Sequence, residues 1–293
     1  MRLALGKPRC ARHGGPMDFV EMPYETWLAS TVPAATIVVF RRDPAGGAAQ
    51  LLLVERNATL QFAGGATVFP GGKIDESDRA LAARLLDADN HGAGPAIEAD
   101  RESAAADMAA RVTAIRETLE ETGLVVGIAG AVDGQIAAEA RRMLLQTGDL
   151  SPVLDAFGWQ LAPEQLVPFA RWWPRSNLER VFDTRFYLAD LGTGAVDIAV
   201  DATENHHMFW ASAEQALDLA ANGRIRLIFP TRRNLERLAQ FDSFAAARAH
   251  ALETPMGTVT PYVEQHDGEP WLMIPDNLGY PVRGEPLAGV QRT

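Results

Sequence analysis

Glu117, Glu120 and Glu121 stand at i, i+3 and i+4 in the stretch Arg116-Glu117-Thr118-Leu119-Glu120-Glu121-Thr122-Gly123-Leu124. At 3.6 residues per turn, that spacing gathers three carboxylates on one arc of a helix. Val112, Ile115 and Leu119 fall on the opposite arc, so an apolar stripe can pack inward while the carboxylates converge outward. Like charges so placed repel by about 0.2–0.5 kcal/mol per pair unless a cation offsets them. A hard divalent ion that prefers oxygen ligands, Mg²⁺ or Mn²⁺, is the natural neutraliser. Glutamates on a helix ordinarily form a solvated face, and what favours chemistry here lies upstream. The run Val68-Phe69-Pro70-Gly71-Gly72-Lys73-Ile74-Asp75 begins strand-like, breaks into a Pro-Gly-Gly turn and ends acidic. Glycines let backbone approach a ligand closely, and a carbonyl in such a turn can itself bind a metal.

The elements that must position these groups follow from the pattern. Residues 36–41 and 50–55 read as two strands joined by the Pro44-Ala45-Gly46-Gly47 turn, and a short strand at 66–69 leads into the Pro-Gly-Gly turn. Residues 76–108 hold two Ala-rich helical patterns separated by Asn90-His91-Gly92-Ala93-Gly94-Pro95, a strong turn signal. The carboxylate helix is expected at 109–122, with Gly123 as its C-terminal cap. A helix at 136–146, strands at 169–173, 181–188 and 208–211, and helices at 213–221 and 232–240 complete the core. Residues 258–280, punctuated by Pro and Gly, read as short strands appended to it. Mixed strands flanked by helices indicate an α/β sandwich.

Composition narrows the function. The chain has 293 residues, 47% of them hydrophobic, ample for a buried core. Lys plus Arg number 27 against 38 Asp plus Glu, a formal charge of -11, which argues against a broad nucleic-acid-binding surface. An anionic substrate would be repelled too, unless metal ions bridge it to the carboxylates. One cysteine, Cys10, excludes an intramolecular disulfide and a cysteine-based zinc site, so a reducing cytoplasm is the default. Residues 2–17 are basic and free of acids but lack a secretory apolar core; they read as a poorly ordered leader, with Met17 or Met22 as candidate starts. No stretch approaches 18 uninterrupted apolar residues, so no membrane span is expected.

The two acidic pieces together resemble the Nudix box, in which a glycine and an acidic residue precede Arg-Glu-x-x-Glu-Glu-x-Gly. Gly72 matches the glycine, Arg116 the arginine, and Glu117, Glu120 and Glu121 the metal-binding glutamates. Asp78 stands where the pattern has glutamate, and Thr118 where it is commonly aliphatic. Asp78 precedes Arg116 by 38 positions, where the pattern has eight, so 30 residues are inserted within the box. The resemblance implies a Nudix-type α/β/α sandwich with a mixed sheet, spanning 31–241 and carrying a helical insertion at 76–108. A leader at 1–30 would precede it, and a C-terminal extension at 242–293 would pack on the core. Trp172-Trp173-Pro174, then Phe182-Asp183-Thr184-Arg185-Phe186-Tyr187-Leu188, then Glu204 with Trp210, are similar to one Nudix branch with a long insertion in the box. That branch includes the mammalian peroxisomal coenzyme A diphosphatase.

The activity so implied is hydrolysis of a pyrophosphate bond in a nucleoside diphosphate derivative, with Mg²⁺ or Mn²⁺ as cofactor. Coenzyme A or an acyl-CoA is the first substrate candidate. ADP-ribose, NADH or a nucleotide sugar is the alternative, and a non-catalytic nucleotide-sensing module is the third. Glu117, Glu120, Glu121 and the Gly72 carbonyl are the expected metal ligands, and Arg116 the clamp that orients them. Glu120, Glu121 or Glu204 is the expected general base. Arg56, Lys73 and Arg185 are the candidate substrate-binding cations, although the stretch around Arg56 matches only imperfectly the element that coenzyme A-cleaving members carry. His206 and His207 lack a metal-ligand spacing and read as strand residues on opposite sides. Trp172, Trp173 and Phe186 could stack a base, but aromatics in strands are more often core. A small-molecule nucleotide is the expected partner, and a homodimer is possible.

Overall fold

The computed structural model describes residues 24–57, 63–89, 98–175, 181–191 and 205–290. The first 23 residues, the break at 90–95 and Glu204 lie outside them. A short helix α1 (Tyr24–Ala29) precedes strands β1 (Thr31–Arg41) and β2 (Gln50–Arg56), then the short β3 (Thr67–Val68) and β4 (Gly71–Lys73). Helices α2 (Glu76–Asp89) and α3 (Glu98–Thr122) follow, then β5 (Ile128–Ala129), α4 (Gly134–Thr147), α5 (Leu150–Phe157) and β6 (Gln160–Leu161). Strands β7 (Val167–Trp172), β8 (Val181–Asp190) and β9 (Asn205–Ala211) lead to α6 (Ala213–Ala221), α7 (Phe229–Leu238) and α8 (Phe244–Glu253). The chain ends in β10 (Thr258–Val259), β11 (Tyr262–His266), β12 (Glu269–Met273) and β13 (Gly284–Pro286).

The main sheet runs β10-β7-β8-β1-β2-β3, with β4 paired to β1 and β9 to β2. It is mixed: β1 lies parallel to β8 and β10 to β7, while the other pairs are antiparallel. Both faces are covered, which is why β1 is a near-continuous apolar run rather than an alternating one. Ile37 and Val39 point into a core formed with α2, α3, α4 and α5, whereas Val38 and Phe40 enter a second core with α6, α7 and α8. Burying side chains such as Ile37, Leu52, Leu53 and Leu119 contributes about 1.5–3 kcal/mol each. The result is the expected α/β/α sandwich with a mixed sheet. Among the described residues no helix is long and apolar enough to cross a membrane.

Three details differ from the sequence pattern. The carboxylate helix does not begin at residue 109: α3 is one helix from Glu98, because no Gly or Pro interrupts the Ala-rich run before it. It is also buried on most sides near its C-terminal end rather than only along one stripe. The hydroxyls of Thr113, Thr118 and Thr122 turn back onto the carbonyls of Ala109, Ala114 and Thr118, so their burial leaves no polar group unsatisfied. The pattern marks no helix at α1, which forms inside the expected leader and buries Trp27, nor at α5 and α8. Their caps are present nonetheless, Asp149 and Gly158 bounding α5 and Ser243 opening α8. The C-terminal segment reaches the main sheet, where β10 pairs with β7 and places Val259 in the second core.

Candidate active site

The Pro-Gly-Gly turn and the end of α3 meet where β4 lies against β1. Gly71 takes φ +153°, and a Cβ there would strike the Ala35 carbonyl, so only glycine fits. Its N–H donates to Glu121 Oε2 at 3.1 Å. Glu121 is buried, which places the third glutamate against the sheet rather than toward solvent. Gly72 is the Cα partner of Ala35, and a Cβ on it would run into the Glu117 carboxylate. The turn is therefore glycine for two separate reasons: a left-handed backbone at Gly71 and close approach of Glu117 at Gly72.

Arg116 is the hub, and its side chain is 4% exposed. Nε and Nη2 donate to Asp78 Oδ1 and Oδ2 at 2.9 and 3.1 Å, Nη1 to Glu120 Oε2 at 2.9 Å, and Nη2 to Glu117 Oε1 at 2.9 Å. Asp75 Oδ2 lies 3.6 Å away. Burial by itself would lower the guanidinium pKa, but Asp78, Glu117 and Glu120 override it and hold the pKa well above its ordinary value. Asp78 is itself buried and fully engaged. It also accepts from Thr113 Oγ1 at 2.9 Å and from the Asp75 N–H at 3.0 Å, the latter bond closing the first turn of α2. The two halves of the box, 38 positions apart, are thus joined through one arginine. Glutamate's longer side chain is unnecessary where α2 already brings Asp78 against α3.

Lys73 is exposed and bonds Asp75 at 2.8 Å, which raises its pKa. Arg185 sits on β8 opposite Ala35, itself opposite Gly72, so it lies two strands from the box, about 10 Å away. Its Nη1 reaches the Ala106 carbonyl at 3.3 Å, and among the described residues no carboxylate pairs with it. Arg56 ends β2, with its N–H on the Ala66 carbonyl; its Nε is buried and has no hydrogen-bond partner among the described residues. The three cations stand on three different strands, β4, β8 and β2. Glu204 and the His206 side chain lie outside the described residues, while exposed His207 stacks on Phe209.

The aromatic candidates are occupied. Trp172 is buried, with its indole N–H on Tyr280 Oη at 3.0 Å, and Phe186 lies in the second core. Trp173 stacks on Trp27 at 3.9 Å. Sequence reasoning missed the anchoring role of Thr113 and Asp75, which becomes visible only when α2 and α3 pack together.

Among the described residues, no three acidic or histidine side chains stand assembled as a metal cage, since Glu117 and Glu120 each give an oxygen to Arg116. The donor set nevertheless suits a hard divalent ion in kind: carboxylates on successive turns, with no thiolate or imidazole among them.

No protein-family model matches the chain. Among solved structures it is similar to a NUDIX hydrolase from Alicyclobacillus acidocaldarius, with 26% identity and a TM-score of 0.59, over 75% of this chain and 96% of that one. Weaker similarity extends to a MutT protein from Methanosarcina mazei Go1, at 16% identity and TM-score 0.36, over 72% and 94% of the two chains. The NUDIX domain of Shewanella oneidensis NrtR, complexed with ADP ribose, gives 14% identity and TM-score 0.35, over 73% and 96%. The fold is that of the Nudix hydrolases.

Proposed function

We propose that this chain is a Nudix hydrolase that cleaves the pyrophosphate linkage of a nucleoside diphosphate derivative with the help of Mg²⁺ or Mn²⁺, and that coenzyme A or an acyl-CoA is its substrate. One observation carries the reading: the Arg116 guanidinium holds Asp78, Glu117 and Glu120 within 3.1 Å, so both halves of the divided box meet at a single point. Glu117, Glu120, Glu121 and the Gly72 carbonyl would hold the ion, with Arg116 orienting Glu117 and Glu120. The bound ion would polarise phosphoryl oxygens and lower the pKa of water. Water oxygen bonds to one phosphorus, the bridging P–O bond breaks, and its electron pair leaves with the other phosphoryl group. The water proton passes to Glu120, Glu121 or Glu204. Arg116 keeps the glutamates in place and does not contact the substrate.

Arg185 supports an extended, multiply charged substrate, because a half-buried guanidinium two strands from the box, with no carboxylate paired to it among the described residues, suits an additional phosphate. Arg56 and Lys73 would serve other parts of the molecule. With a single cysteine and no span-forming helix among the described residues, the enzyme would work in a reducing cytoplasm. The test is incubation with a substrate panel and Mn²⁺, with products read by mass spectrometry. Release of 3′,5′-ADP with a phosphopantetheine product supports coenzyme A. AMP as the common product from ADP-ribose, NADH or nucleotide sugars moves the substrate to that alternative, and binding without turnover makes the chain a sensor. Arg185→Ala should raise KM for a substrate bearing the additional phosphate at least about tenfold while kcat changes little.

A further inference from the structure

The last turn of α3 carries the box glutamates at the electrically unfavourable end of a helix, where the final carbonyls lack intrahelical partners and the dipole is negative. Those carbonyls are served one by one. The Leu119 carbonyl accepts the Gly123 N–H at 2.9 Å, and the Thr118 carbonyl accepts the Thr122 hydroxyl at 2.5 Å. The next two belong to Glu120 and Glu121, and both are met from outside the helix. Arg141 on α4 donates Nε to the Glu120 carbonyl at 2.8 Å and Nη2 to the Glu121 carbonyl at 3.4 Å. Helix α4 is itself firmly placed: Ala137, Ala140 and Leu144 bury one face, Asp133 caps its start and Gly148 its end.

We propose that Arg141 is a positioning residue of the active site, holding the main chain of Glu120 and Glu121 so that their carboxylates can close on a divalent ion. This rests on the metal-binding role proposed above for those glutamates. The side chain of a glutamate can be no better placed than its Cα, and Arg141 ties the main chain of both to α4. Arg116 fixes carboxylate oxygens of Glu117 and Glu120, whereas Arg141 fixes the backbone of Glu120 and Glu121, so the two converge on Glu120. Removal of outer-shell partners of metal ligands typically costs about 10–100-fold in affinity or activity.

Charge and position make opposite predictions, which allows a clean test. Loss of a cation beside the glutamates would by itself tighten binding of a divalent ion; loss of position loosens it. Gln places its amide nitrogen at the same bond count from Cα as the Arg Nε, so Arg141→Gln keeps the donor to the Glu120 carbonyl without the charge. The parent, Arg141→Ala and Arg141→Gln proteins are compared for Mn²⁺ affinity by electron paramagnetic resonance titration and for kcat and KM. Hydrogen exchange at the Gly123 amide is followed in the metal-free proteins. Arg141→Ala should weaken Mn²⁺ binding and lower kcat by at least about tenfold each, with KM little changed and faster Gly123 exchange, and Arg141→Gln should stay within about threefold of the parent. Arg141→Ala binding Mn²⁺ as well as or better than the parent, or Arg141→Gln failing as badly as Ala while remaining folded, overturns the proposal. A parent protein that binds no Mn²⁺ overturns the metal reading and this one with it; a parent that binds Mn²⁺ but cleaves no pyrophosphate defeats only the proposed reaction, and the affinity and exchange readouts still decide the role of Arg141.

Discussion

Asp78→Ala tests the joint between the two halves of the box. The Asp78 carboxylate accepts two bonds from Arg116, one from Thr113 and one from the Asp75 N–H, all between 2.9 and 3.1 Å, at a site 1% exposed. Removing one partner of a buried ion pair costs about 3–5 kcal/mol, because the other charge stays buried. Glu117 and Glu120 remain on the guanidinium here, so the lower end, about 3 kcal/mol, is expected. With a urea slope of about 3 kcal/mol/M for a chain this long, the unfolding midpoint should fall by about 1 M. In an Asp78→Ala/Arg116→Ala cycle the pair should show a coupling of at least about 2 kcal/mol. Lys73→Ala, at an exposed ion pair on the same turn, should shift stability by under about 0.5 kcal/mol. A midpoint for Asp78→Ala within about 0.2 M of the parent would refute the reasoning, since Arg116 would then be held without the insertion's first helix.

Glu120→Gln and Glu121→Gln should each lower kcat at least about a hundredfold with folding intact, and near-normal turnover in both would sink the metal assignment. Gly72→Ala drives a methyl group into the Glu117 carboxylate; a loss of kcat of about tenfold or more is expected, with about 1–3 kcal/mol of strain, and unchanged steady-state kinetics would refute the contact. Burial, and then the neighbouring Arg237, holds the His250 pKa below its ordinary 6.5. Its contribution to stability is therefore full above pH 6.5 and lost as pH falls through the lower folded value. Urea midpoints measured from pH 7 to pH 5 should drop less in His250→Gln than in the parent, and parallel curves would exclude the effect.

The chemical groups of the site were legible in the sequence because their pattern is local. Carboxylates at i, i+3 and i+4 share a helical arc whatever the rest of the chain does, Gly123 takes φ +74° as a helix-ending glycine should, and the Pro-Gly-Gly turn marks a place where backbone must come close. Strand and helix types followed from the same short-range periodicities, which also explains why α5 and α8, short and weakly marked, escaped. Trp172 and Phe186 show the limit of composition: an aromatic in a strand declares only that it is large and apolar, and the second core absorbed both.

What tertiary structure alone decided is how distant pieces meet. That Asp78 closes on Arg116 across 38 positions depends on α2 packing against α3. That Gly72 abuts Glu117 depends on β4 pairing with β1, and that Arg141 caps the glutamate-bearing turn depends on where α4 docks. None of these contacts has a period or a spacing along the chain. Each is selected by the demand that a buried charge or an orphaned carbonyl find its partner, and such a demand can be met only once the helices and sheet have come together.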